Sequence, residues 1–144
     1  MEARDTRVDY THRIPYGHHP VSGRPGPYVP VSVTNPATGD SIDTLVIIDS
    51  GARFPLLSGD HAIGLNLTIR NGRRESFRPA MSIVDHEAFL HPLEVSIGDF
   101  TFPCEVGFVE GPLVRDALGR EGFFDRVQMG FREYLQEIYL ILNR

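Results

Sequence analysis

The chain has 144 residues, of which 41% are apolar and 23% charged, with a formal net charge of -5 at pH 7. That length supports one domain with its own core and is small for a two-lobed enzyme, while the acidic balance argues against a nucleic-acid surface. No stretch approaches the roughly 18 apolar residues of a membrane helix, so neither a membrane nor nucleic acid is expected as a partner.

Residues 1–26 read as a flexible arm. Arg, Asp, Thr, His, Gly and Pro dominate, with no period of 2 or 3.6 that would bury a face. The arm also lacks the apolar core of a signal peptide, and a cytoplasmic location is expected. His12, His18 and His19 sit among Gly17, Pro20, Gly23, Pro25 and Gly26, without the rigid spacing of a ligand set.

From Pro27 to Arg144 the texture becomes short strands between turn signals, the pattern of a compact all-β domain. Tyr28, Val29, Val31 and Val33 alternate into a first strand, and Pro30 within it marks an edge position. Asn35-Pro36-Ala37-Thr38-Gly39-Asp40 reverses the chain into a second strand over about 41–48, whose end, Leu45-Val46-Ile47-Ile48, is apolar on both faces. Asn71-Gly72, between Leu67/Ile69 and Phe77, signals a hairpin, and Gly98-Asp99 signals another between Leu93/Val95/Ile97 and Phe100/Phe102. Arg70, Arg73, Arg74 and Arg78 flank the first of these turns and are expected to be solvated. The single cysteine, Cys104, excludes an internal disulfide and suits a reducing compartment; its apolar setting reads as a buried, inert thiol. Gly119 to Arg126 looks helical, with Phe123 and Phe124 turned inward, and strands near 127–131 and 137–142 close the chain.

The run that carries chemistry is Asp49-Ser50-Gly51-Ala52. A carboxylate directly after a buried strand is costly unless it serves a site. Hydrolysis of an amide needs an activated water and a proton for the leaving nitrogen, which two carboxyl groups sharing one proton supply. This sequence has only one Asp-(Ser/Thr)-Gly, so the pair requires two chains. A two-fold axis through the site brings Asp49 against its own copy.

The Asp49–Ala52 run and the later Ala117-Leu118-Gly119-Arg120-Glu121-Gly122-Phe123-Phe124 together resemble the retropepsin family, the single-lobed homodimeric aspartic proteases of retroviral type. The resemblance spans roughly residues 27–144. It implies a small closed β-barrel with one short helix near the C-terminus, and a homodimeric endopeptidase acting on peptide or protein substrates without a cofactor. It further implies that Asp49 is the catalytic acid and that the Ser50 hydroxyl ties the two loops across the axis. Gly51 leaves room for the partner backbone, and Ala52 stands beside substrate. Leu118 and Gly119 pack beneath the loop, and Arg120 with the helix after it braces the structure.

Three positions depart from the family pattern. Arg53 stands where retroviral enzymes carry an aspartate that holds substrate backbone. A cation there favours the charged form of a neighbouring acid, unless Arg53 pairs with Glu121 or with a carboxylate of a partner. The stretch corresponding to the Gly-rich flap, Pro79 to Leu90, has no glycine; Val84 and Asp85 within it are the candidate substrate contacts. His86 and His91 with Asp85 do not have the spacing of a helical ligand pair, and no metal is expected. Ala117 replaces a larger apolar residue, which loosens the packing under the loop. Two functions stay open: an aspartic endopeptidase, and a retropepsin-like peptide-binding or dimerisation domain with little or no activity.

Overall fold

In the computed structural model of the protein, residues 7–79, 81–111 and 115–143 are described. Twelve strands appear among them: β1 (His12–Pro15), β2 (Gly17–His18), β3 (Pro25–Gly26), β4 (Tyr28–Thr34), β5 (Ser41–Ile48), β6 (Leu56–Ser58), β7 (Arg73–Phe77), β8 (His86–Ile97), β9 (Phe100–Val109), β10 (Ala117–Leu118), β11 (Val127–Arg132) and β12 (Glu137–Leu142). One four-residue α-helix, α1 (His61–Gly64), follows β6.

Six strands close a ring in the order β4-β5-β10-β6-β9-β8, with β8 returning to pair with β4, and β7 hangs on the outer edge of β8. The ring is a closed barrel, as expected. Period-2 alternation fills it: Val29, Val31 and Val33 of β4 point inward, while Pro30 faces out. Pro30 lies where β4 pairs with β5 alone, since β8 reaches only Ser32 to Thr34. That is where a residue without an N–H costs least. Val46 and Ile48 of β5 are buried. Leu45, on the other face, is half-buried, with a δ carbon 3.4 Å from where a Cβ on Gly17 of β2 would stand.

The β8–β9 hairpin turns at Gly98-Asp99, with Ile97 opposite Phe100 and Gly98 at φ 57°, a left-handed conformation that glycine adopts without cost. The expected hairpin at Asn71-Gly72 is absent. Residues 69–71 form a 3-10 turn, and β7 pairs with β8 from Arg73↔Leu90 to Phe77↔His86, so the reversal falls at 78–85. Gly72 has an extended backbone and serves close packing, because a Cβ there would come within 2.6 Å of the His91 ring.

The helical stretch expected near the C-terminus is also different. Phe124–Arg126 is a 3-10 turn, and the α-helix among the described residues is α1. Phe123 is fully buried, as its apolar ring requires, and Phe124 is half-buried.

The segment read as an arm carries secondary structure. β1 pairs with β12, and β12 with β11, in a separate three-stranded sheet, while β2 pairs with β3. A 2.7 Å hydrogen bond between His12 Nε2 and Asp99 Oδ1 joins β1 to the β8–β9 turn, and it holds the Asp99 carboxyl below the usual carboxylate range. Residues 1–6 of that segment lie outside the described residues. Among the described residues no helix is long and apolar enough to cross a membrane.

Candidate active site

β5 delivers Asp49 and β6 carries the chain away, and between these two strands lies β10, parallel to β5 and antiparallel to β6. The loop 49–55 is therefore wrapped around a strand from about 70 residues later. Asp49 N–H donates to Leu118 O at 3.0 Å, and Ile47 N–H to Asp116 O at 2.9 Å, so the parallel ladder runs up to the acid itself. Ala52 N–H closes a turn onto Asp49 O at 3.1 Å, and Gly51 N–H donates to Asp49 Oδ1 at 2.9 Å. The carboxylate is thus oriented by its own loop. It is half-buried, whereas Ser50 and Gly51 are exposed.

Residues 119–121 run along the far limb of the loop. Arg120 N–H donates to Ala52 O at 2.9 Å, and Glu121 N–H to Arg53 O at 2.7 Å. A Cβ on Gly119 would stand 2.7 Å from Ala52 O, Phe54 C and Phe54 O, contacts that only a residue without a side chain tolerates. The Arg120 guanidinium donates to Ser50 O at 2.6 Å. Leu118, Gly119 and Arg120 are thus gathered against the Asp49–Ala52 loop. Ala117 is buried between Ile47 and Leu56, its register partners.

Arg53 is half-exposed and turns to carboxylates of its own chain: Nε is 3.3 Å from Glu121 Oε1 and Nη2 is 3.4 Å from Glu75 Oε2. Val84 and Asp85 belong to the 78–85 connection at the far end of the β7–β8 hairpin. Their hydrogen bonds stay local, Asp85 to Arg78 at 2.9 Å and Val84 to Ser82 at 3.1 and 3.2 Å. Met81, Ile83 and Val84 are strongly exposed there.

Sequence reasoning missed Asp116. Its side chain is nearly buried and accepts from Thr44 Oγ1 at 2.5 Å and Ser58 N–H at 2.8 Å, with His61 Nε2 at 2.7 Å. One carboxylate thereby joins β5, β6 and α1 to the start of β10. The available signal was an acid one residue ahead of the apolar Ala117-Leu118 pair. Among the described residues no group of three His, Cys, Asp or Glu side chains is placed to hold a metal ion.

A six-stranded barrel ring whose acid loop is wrapped around a late two-residue strand is a retropepsin-like all-β fold. A solved structure shares it. The chain is similar to a retropepsin-like aspartic protease from Rickettsia conorii, with a TM-score of 0.63 and 17% identity over 91% of this chain and 99% of that one. It is also similar to EIAV protease complexed with the inhibitor HBY-793, with a TM-score of 0.49 and 17% identity over 72% of this chain and 88% of that one. No family model and no curated protein matches the sequence.

Proposed function

We propose that the protein is a homodimeric aspartic endopeptidase in which two Asp49 side chains, one per subunit, activate the water that attacks a peptide bond. The observation that carries this reading is the posture of Asp49: half-buried at the end of β5, oriented by the Gly51 N–H, and in no ion pair among the described residues. An acid that only braced the fold would be expected to spend both oxygens on neighbours, as Asp116 does. A dimer is favoured by the single Asp-(Ser/Thr)-Gly in this sequence. It is also favoured by the exposed Phe131 and Leu142 of the three-stranded sheet and Tyr134 and Leu135 of the 3-10 turn that joins β11 to β12. Because β12 is paired on both sides, a partner strand would add at the open edges of β1 or β11.

One member of the pair takes a proton from water while the protonated member polarises the substrate carbonyl, so activity is expected to be bell-shaped in pH. The test is cleavage of a random peptide pool between pH 4 and 7 by wild type and Asp49→Asn, with the mass of each species from analytical ultracentrifugation. Asp49→Asn should abolish cleavage and change stability by less than about 1 kcal/mol, since the amide oxygen still accepts from Gly51. Unchanged cleavage, or a monomer at tens of micromolar that still cleaves, would sink the assignment. A wild type that binds peptide and cleaves none at any pH would be a peptide-binding domain instead. The carboxylates around Arg53 and the glycine-free flap hairpin are the features compatible with that second reading.

A further inference from the structure

Five charged side chains of alternating sign run without a break from beside the acid loop, across the strand that supports the flap tip, to β9. Glu121, beside the loop, meets Arg53 Nε at 3.3 Å; Arg53 Nη2 meets Glu75 Oε2 at 3.4 Å. The other oxygen of Glu75 accepts from Arg73 Nη1, and Arg73 Nη2 reaches Glu105 Oε2 on β9 at 2.6 Å. Glu75 and Arg73 belong to β7, which among the described residues is bonded only along one edge, to β8. Backbone pairing therefore fixes β7 to its neighbour and leaves its angle to the barrel free of any second ladder. The side chains of Arg53 and Arg73 supply the missing restraint.

Glu75 is the hinge point of this chain of charges, for two reasons. Of the five, it alone bridges two arginines with one oxygen for each, and its side chain is 24% exposed, against 46% to 63% for the other four. Its lower exposure makes its pairs less screened than ordinary surface pairs, and several charges in one network do more than isolated pairs. Beneath the same contact Phe77 packs edge-on against Phe54, with ring centroids 6.0 Å apart, so a shift of β7 is felt at the residue next to Arg53.

We propose that Glu75 is a positioning residue of the peptidase site, holding β7, and with it the exposed Met81-Ile83-Val84 tip, at a fixed angle to the Asp49 loop through Arg53. The sequence alone gives no sign of it, because the partners are 22 residues apart and lie on different elements. The inference rests on the endopeptidase reading for its effect on catalysis, but its structural half stands without it.

The experiment follows amide hydrogen exchange in 73–77 and 86–90 for the full chain as wild type, Arg53→Gln, Glu75→Gln, the double variant and Glu110→Gln. Glu110 pairs with Arg70 away from this network and serves as the control. Each single change should speed exchange in those two stretches about three- to tenfold, with the double variant no faster than the faster single, because both break the same Arg53–Glu75 tie between β7 and the loop. Sodium chloride at about 0.5 M should bring wild type toward the variants. Where the wild type cleaves peptide, Glu75→Gln should raise KM about three- to tenfold with kcat within about twofold. Additive exchange effects, equal effects in Glu110→Gln, or exchange indistinguishable from wild type would overturn the proposal. A wild type that cleaves nothing but shows the non-additive exchange keeps the restraint and rejects the peptidase, so the two failures are told apart. Changed exchange with unaltered KM in a cleaving enzyme rejects the positioning role.

Discussion

Around the Asp49 loop the chain is held by main-chain hydrogen bonds and by backbone packed on backbone at Gly119. At the far end of the β7–β8 hairpin, the connection between the two strands is held by side-chain contacts of its own and by charges at its base. Main-chain bonds fix the path of the loop from both sides, whereas exposed ion pairs exchange readily with water and salt. Substitution at the first end should therefore cost stability, and at the second it should cost little stability and show itself in substrate handling. The two regions differ as a loop fixed by its backbone and a tip set by side chains.

The largest break in that contrast comes from Gly119→Ala. A methyl group there overlaps three backbone atoms at 2.7 Å, none of which can move without opening the β5–β10–β6 arrangement. Calorimetry should register a loss of about 3 kcal/mol, a fall in Tm of roughly 10 °C, and an ordinary Tm would mean that the loop is as pliant as the tip.

Cys104 sharpens the comparison from below the loop. Its thiol lies under the turn that follows Gly119, with Sγ 2.8 Å from where a Cβ on Gly122 would be. Burial pushes its pKa up to about 12. The native protein should accordingly resist a disulfide reagent at about pH 8 and react at once after denaturant unfolding. The raised value also fixes the sign of a pH effect. The folded state holds this proton more tightly than the unfolded chain, so the stabilisation is complete below the ordinary thiol range and drains away as pH rises toward 12. Rapid reaction of the native thiol under the same conditions would mean that this end is wet.

The smallest effect is expected at the tip. Met81→Ser removes a side chain that touches solvent on all sides and should change stability by less than about 0.5 kcal/mol. If chemical denaturation reports a loss above about 1 kcal/mol, the tip is packed in solution and the contrast fails.

The elements legible in the sequence were those whose signal is local. β4 and the β8–β9 hairpin announce themselves by period-2 alternation, the hairpin also by a two-residue turn with glycine at a left-handed position, and β5 by its continuous apolar end. The meeting of the Asp49 loop with residues 118–120 was legible because the two runs together resemble one family, although Asp-Ser-Gly alone is a short motif that recurs by chance. Asn71-Gly72 misled because the same dipeptide that suits a turn also suits a close approach, here of Gly72 to the His91 ring on β8. β1 was invisible for another reason: a half-buried four-residue strand acquires its partner only from the far end of the chain, His12 opposite Leu140. Asp116 and the network of charges through Glu75 share that cause, since their partners lie on elements remote in sequence.

The two-residue strand β10 has a consequence for how the protein comes into being. The ring closes only when Ala117 and Leu118 slide between β5 and β6, and the acid loop takes its shape only when residues 119–121 lie along it. A nascent chain that has emerged as far as β9 has every strand of the barrel except this one, and an Asp49 with no ladder to hold it. Contacts so distant in sequence form late in folding. The loop is thus shaped after most of the protein that carries it has been made, and any truncation before residue 117 leaves a barrel without a seam.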